Sequence, residues 1–258
     1  LFLESETMRF DVITLFPELF EPHLVHGVTR RAFESRQVDV RLWQLRDFGD
    51  APHARVDDRP YGGGPGMVLL AEPLERALAA IRVERAEPVP APLVNFSPAG
   101  QALKQEALGG FAAGAVLLCA RYEGVDQRFI DRHVDLELSL GDFVLSGGEI
   151  PALALLDAVA RLQPGVLGDE RSHQQDSFSA GLLDCPHYSR PEVLAGAGGA
   201  VPAVLLSGNH AAIERWRRDR SLALTAERRP ELIEAAQQAG RLDAADQASV
   251  SKANAAKL

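Results

Sequence analysis

The residues that could do chemistry fall into short groups, and the most informative ones hardly look reactive. Three stretches share one arrangement: Asn95–Gln101 (NFSPAGQ), Ala120–Asp126 (ARYEGVD) and Leu145–Pro151 (LSGGEIP). Each places glycine just after an apolar run of buried-strand type, namely Pro92–Ser97, Ala115–Ala120 and Phe143–Leu145. In open α/β sheets, ligands bind in the crevice outside the carboxyl ends of the strands. Glycine lets the backbone come close to a ligand and reach positive φ. The spacing therefore predicts a pocket in which a flat ligand lies against bare amides. The ligand carries few phosphates, because Arg121 is the one cation in the three stretches. The chain has no G-x-x-x-x-G-K-[ST] phosphate loop, and Tyr61–Met67 (YGGGPGM) lacks the G-x-G-x-x-G spacing of a dinucleotide site. A nucleoside of little negative charge fits best.

Other groups read more plainly. Asp176 opens the segment DSFS and by itself reads as a helix N-cap. Arg161 falls in the last turn of an apolar helix, where a cation complements the helix dipole. His23 and His26 are three residues apart with no third ligand nearby, and Cys185-Pro186-His187 reads as a structural corner. Ser172, His173 and Asp176 form a local polar run, which does not amount to a catalytic triad. Between Asn209 and Arg229, six arginines face three acidic residues. Ile213 and Trp216 share an inward helix face there, which leaves Arg217, Arg218 and Arg220 to look outward toward phosphates.

These groups must be held by a framework, and the patterning supplies one. Arg9–Phe16 and Val38–Leu45 alternate as strands. Ala71–Arg85 and Glu149–Leu162 have helical spacing, and Pro17–Gln37 reads as a helix broken near Pro22. The β-α alternation predicts a mostly parallel sheet covered on both faces. The polar stretch Gly168–Gly181 reads as a linker or mobile loop. Beyond it, Val201–Gly208 reads as a short strand or extended loop, followed by helices at His210–Arg220 and Arg229–Ala239 and a tail that is helical or disordered. Met8 reads as the natural start, with residues 1–7 a remnant before it. With 46% hydrophobic and 24% charged residues, the composition is that of a soluble globular protein. No apolar run is long enough to span a membrane. Cys119 and Cys185 make no disulfide framework, so the chain is expected in the cytoplasm. A net charge of −9 confines any nucleic-acid contact to a local patch. On this evidence three readings stay open: a nucleoside-dependent transferase, another nucleotide-cofactor α/β enzyme, and a non-catalytic RNA-binding module.

Longer motifs narrow the choice. DDRPYGGGPGMV (Asp57–Val68), RYEGVD (Arg121–Asp126), GDFVLSGGE (Gly141–Glu149), QPGVLG (Gln163–Gly168), DSFSAGLLDCPHYSRPEVL (Asp176–Leu194), VLLSGNH (Val204–His210) and RRPEL (Arg228–Leu232) resemble the bacterial tRNA (guanine-N1)-methyltransferase family, TrmD. The resemblance runs from Met8 into the last helices. It implies a SPOUT-type α/β fold whose parallel sheet carries a deep trefoil knot over residues 8–168, a linker at 169–181, and a smaller, mostly helical tRNA-binding domain at 182–258. It also implies a homodimer, S-adenosylmethionine as methyl donor, and the guanine at position 37 of the tRNA anticodon stem-loop, preceded by guanine 36, as substrate. The donor-binding residues carried over are Ser97, Pro98 and Gly100, then Tyr122, Glu123 and Gly124, then Leu140, Gly141, Leu145, Ser146, Gly147 and Gly148. Asp176 becomes the general base and Arg161 the group that stabilises charge on O6. Glu123 becomes a candidate ligand for a Mg²⁺ ion, Asp57 and Arg59 guanine-recognition residues, and Arg217 and Arg218 contacts to RNA. The sequence departs from the family pattern at Ala120, where Gly is common, and at Gln101-Ala102, where basic residues are common.

Overall fold

The computed structural model describes residues 7–168 and 175–255. The chain divides into two compact units, Leu1–Glu170 and Arg171–Leu258. The first is built on a five-stranded sheet in the order β2-β1-β6-β5-β7, parallel throughout. Its strands are β1 (Met8–Thr14), β2 (Val38–Gln44), β5 (Leu93–Ala102), β6 (Gly114–Leu118) and β7 (Leu136–Ser139). A two-stranded antiparallel hairpin, β3 (Asp57–Asp58) with β4 (Val68–Leu69), stands apart from it.

Side-chain alternation along the central strand sorts the core into two layers. Ala115, Leu117 and Cys119 of the β6 run point to one face, where Ala152, Leu155, Leu156 and Val159 of α5 (Glu149–Ala160) cover them. Val116 and Leu118 point to the other, against Leu74, Leu78 and Ile81 of α3 (Ala71–Arg85) and Phe129 of α4 (Gln127–His133). A strand buried on both faces reads as a continuous apolar run, as this one does. The parallel, helix-covered α/β sheet expected from the sequence is therefore present.

Three local expectations differ. Phe143–Leu145 is not a strand: Phe143 is 56% and Val144 84% exposed, and the strand is β7 instead, a short edge strand with alternating apolar residues. The chain leaves the sheet after Ser139, so the apolar run lies in a loop. Second, Pro17–Gln37 breaks into a 3₁₀ turn (Pro17–Leu19) and two short helices, α1 (Glu21–Val25) and α2 (Arg30–Glu34), separated by Gly27 at φ +76°. Third, Ala203–Leu206 of the Val201–Gly208 stretch forms a 3₁₀ turn.

Among its described residues, the second unit packs three helices around Leu182, Leu222, Ala226, Ile233, Ala236, Leu242 and Val250. They are α6 (His210–Arg228), α7 (Pro230–Gln238) and α8 (Ala244–Ala255). Asn209 caps α6 by accepting the Ala212 N–H at 3.2 Å, and Pro230 opens α7, where its missing N–H costs nothing. α6 runs eight residues past Arg220, because Leu222 and Ala226 continue its buried stripe. No helix among the described residues is long and apolar enough to cross a membrane.

Candidate active site

At the carboxyl ends of β6 and β7 and along the irregular second half of β5, the three glycine-bearing segments surround a pocket of about 420 Å³. That is within the size range of small-molecule sites. Ser97 and Pro98 come from β5 itself, which runs on to Ala102 through an irregularity between Phe96 and Gln101 where the sequence predicts a loop after the strand. Tyr122, Glu123 and Gly124 come from the second segment, and Leu140, Gly141, Leu145, Ser146, Gly147 and Gly148 from the third. Gly100 is the carried-over residue that does not line it. A Cβ on Gly100 would lie 2.5 Å from the Leu138 nitrogen, so this glycine serves the close approach of β7 where the β5–β7 register shifts.

The third loop takes an unusual path. It leaves β7 on the outer side of β5 and reaches the end of β6 on the other side. There Gly147 bridges Arg121, and the Gly148 N–H donates to the Ala120 carbonyl at 2.9 Å. A Cβ on Gly148 would sit 2.7 Å from the Cys119 Cα. A Cβ on Gly147 would sit 2.5 Å from Glu149 Oε2 and closer still to Arg121 Nε. This corrects the sequence expectation that both glycines were emptied for a ligand: the missing side chains make room for protein. Gly124, at φ +117° with nothing within 4 Å of its would-be Cβ, is the glycine with open space beside it.

Charge in the pocket follows from the same packing. Arg121, its one basic lining residue, pairs with the buried Glu149 at 2.9 Å, and its guanidinium stacks over the Phe16 ring at 4.6 Å. Glu123 and Glu137 also line the pocket. With Arg121 neutralised, the walls are acidic, which favours a cationic ligand and opposes phosphates. Sequence reasoning missed Glu137, and missed Glu149 as the partner of Arg121. Both carboxylates are held by residues distant in the chain: Asn95 donates to Glu137 at 2.9 Å across the β5–β7 pair, and Thr14 donates to Glu149 at 2.9 Å beside Arg121.

The Asp57–Leu69 hairpin is fastened to the second loop. The Glu123 N–H donates to Met67 O, Leu69 N–H to Gly124 O, and Asp126 N–H to Leu69 O, at 2.9, 2.9 and 3.0 Å. Gly66 leaves space that the Glu123 side chain occupies. Burial, then a hydrogen bond with Asp57, pushes the Tyr122 phenol above its ordinary value. Asp57 is half-buried, and Arg59 is exposed on the hairpin.

The remaining sequence-derived residues lie elsewhere. Arg161 follows the end of α5, half-buried, with its N–H donating to Asp157 O at 3.0 Å. Asp176 belongs to the second unit, where it heads a turn through Ser179 N–H to Asp176 O at 3.2 Å. It lines a cavity of about 620 Å³ with His187, His210 and Arg217. Ser172 and His173 lie outside the described residues. Arg217 and Arg220 are exposed as expected, but Arg218 is not free to face RNA: it pairs with Asp246 of α8 at 2.7 Å. Burial opposes ionisation of Asp246, and hydrogen bonds from Arg218 and Arg215 outweigh it, holding the carboxyl below its ordinary range. Among the described residues, one group of three metal-ligating side chains converges, Asp184, Cys185 and His187, and Glu123 is not in it. His187 bonds Asp184 at 2.8 Å, and burial raises the Cys185 thiol, which suits the structural corner. His23 packs on Phe33 with ring centroids 5.8 Å apart.

Comparison with known proteins agrees with this geometry. Residues 8–235 match the family model described as tRNA (Guanine-1)-methyltransferase TrmD. The chain is 69% identical over 243 residues to the tRNA (guanine-N(1)-)-methyltransferase of Leptothrix cholodnii, covering 93% of this chain and 97% of that protein. It is 67% identical over 254 residues to the protein of the same name from Paracidovorax citrulli, covering 96% and 99%. A strand-end pocket walled by three glycine-bearing segments and a match along nearly the whole chain lead to one assignment: the chain belongs to the tRNA (guanine-1)-methyltransferase family, TrmD.

Proposed function

We propose that the chain transfers a methyl group from S-adenosylmethionine to N1 of the guanine at position 37 of tRNA, where guanine 36 precedes it. The carrying observation is the pocket at the ends of β6 and β7 and along the second half of β5, with its one arginine neutralised by Glu149 and with Glu123 and Glu137 in its walls. Acidic walls suit a sulfonium nucleoside and disfavour a pyrophosphate cofactor. Leu140 and Leu145 supply apolar surface for an adenine, and the flanking amides supply donors and acceptors. When bound, S-adenosylmethionine supplies an electrophilic methyl group on a cationic sulfur.

The protein must do the rest. The N1 proton has to leave before its lone pair is available, and the charge that spreads to O6 has to be stabilised. Asp176 takes the proton. Arg161 holds the charge on O6. Asp57 and Arg59 on the hairpin, which is bonded directly to the donor loop, hold the guanine. Arg217 contacts the anticodon stem-loop. Glu123 offers a single carboxylate to Mg²⁺, an ion that keeps most of its waters. The trefoil knot belongs to this proposal, supported by the return of the third loop past β5 to the end of β6. So does a cytoplasmic homodimer in which Asp176 serves the donor pocket of the other subunit. The exposed apolar residues Phe16, Leu19 and Ile150 support an interface on the first unit.

Labelled methyl transfer to tRNA transcripts tests the activity. Transfer to a guanine-37 transcript and none to adenine-37 is expected; equal labelling of both, or of neither, refutes it. Mixing Ser146→Trp chains, whose added ring enters the donor pocket from an exposed position, with Asp176→Ala chains tests sharing of the site. Recovered activity in the mixture supports it, and an inactive mixture of demonstrated heterodimers refutes it.

A further inference from the structure

We infer that Glu149 is a positioning residue for the methyl-donor pocket: through Arg121 its buried carboxylate holds the third loop closed on the second. Glu149 stands in the first turn of α5, directly after Gly147-Gly148, and is 1% exposed. A carboxylate removed from water needs compensating partners. Here they come from two separate elements. Thr14 Oγ1, at the end of β1, donates to Oε1 at 2.9 Å, and Arg121 Nε lies 3.1 Å from Oε1 and 2.9 Å from Oε2.

The arginine then reaches the loop itself, with Nη1 donating to the Ser146 carbonyl at 3.3 Å. The pair passes through the space that a side chain on Gly147 would fill. Its geometry thus explains why glycine stands at 147, where φ is not positive. The charges are also arranged so that neither one enters the pocket unbalanced. Losing Glu149 would both loosen Ser146–Gly148 and release an uncompensated guanidinium beside a cationic ligand. The effect on donor affinity therefore exceeds what loosening alone would give.

This inference rests on the donor-pocket reading for its ligand, and one experiment separates the two. S-adenosylhomocysteine affinity, donor KM and kcat are measured on Glu149→Gln, Arg121→Gln and the double variant, with hydrogen exchange at the Gly147 and Gly148 amides followed on the same proteins. For Glu149→Gln we expect the donor KM to rise at least tenfold, S-adenosylhomocysteine, whose sulfur is uncharged, to lose affinity by a smaller factor, and kcat at saturating donor to change less than threefold. Exchange at Gly148 should quicken at least tenfold while the Leu155 and Leu156 amides of α5 keep their protection. The double variant should be no worse than the poorer single one, because the two residues act as a unit. Multiplying losses in the double variant, or unchanged exchange at Gly148, overturn the inference. Should Glu149→Gln not fold, Thr14→Val removes one partner of the carboxylate and is expected to quicken the same amide at least threefold; no change there overturns it too. If the wild-type protein fails to bind S-adenosylhomocysteine, the donor-pocket reading falls, and the exchange data still decide the role of Glu149.

Discussion

Replacing Gly148 by alanine probes the close approach on which the pocket is built. Gly148 has φ −79° and ψ −4°, a conformation open to any residue, so backbone strain does not enter. The added methyl would lie 2.7 Å from the Cys119 Cα and 3.2 Å from the Ala120 nitrogen, both backbone atoms of the chain leaving β6. Neither can rotate away, and Cys119 is buried in the main core. Overpacking of this kind costs about 1–3 kcal/mol. Moving the loop to relieve it stretches the Gly148 N–H bond to Ala120, worth about 1 kcal/mol. The lower entropy of an unfolded alanine returns about 0.4–1 kcal/mol. The net loss is about 2 kcal/mol, or a fall of about 4–8 °C in the melting temperature. Gly109→Ala is the matched control, since its methyl meets nothing within 4 Å and its φ is ordinary. It should be neutral or slightly stabilising. Thermal unfolding and S-adenosylhomocysteine titration read both variants. A Gly148→Ala protein as stable and as tight-binding as the Gly109→Ala control would refute the close-approach reasoning.

Three further outcomes follow from the packing. Arg217→Ala should weaken tRNA binding and reduce the slope of log K against log salt by about 1, without changing the melting temperature, whereas Arg218→Ala should destabilise the second unit through loss of its Asp246 contact. Because the folded Asp246 carboxyl is held below its ordinary value, its contribution is present above about pH 4 and lost as pH falls through the folded value. The stability gap between wild type and Asp246→Asn should therefore be constant near neutral pH and close as the pH falls below about 4, where wild type loses stability more steeply; a gap that stays unchanged down to the acid transition would contradict this. Asp11 is fully buried in β1 and bonded by Arg9, Arg85 and Trp43 Nε1 at 2.8, 2.6 and 2.8 Å, so Asp11→Ala should cost about 3–5 kcal/mol in denaturant unfolding.

What could be read from the sequence was whatever local pattern alone determines. β6 and α3 appear where their apolar runs and spacing place them, because burial on two faces or on one stripe leaves a direct record in residue order. The first two glycine-bearing segments were legible for a similar reason: glycine after a buried run, Leu93–Phe96 or Ala115–Cys119, is a local signal. Phe143–Leu145 has the composition of a buried strand and yet lies in a loop, since nothing local reports that the chain has left the sheet. β7 was overlooked because an edge strand of four residues leaves only two alternations. The purpose of Gly147 was also out of reach. Its neighbour Arg121 comes from 26 residues earlier, and the Glu149 contact to Thr14 spans 135 residues. Arg218 illustrates the same limit: helical spacing puts it near the outer face, and only the packing of α8 supplies Asp246.

The most direct test of a donor site at the strand ends is a crystal structure of this chain grown with S-adenosylhomocysteine. Density for the nucleoside bounded by Pro98, Tyr122 and Leu145, with its sulfur toward the acidic wall, is the expected result. A well-ordered ligand seated elsewhere, with these loops empty, would contradict the assignment of the pocket and the chemistry built on it.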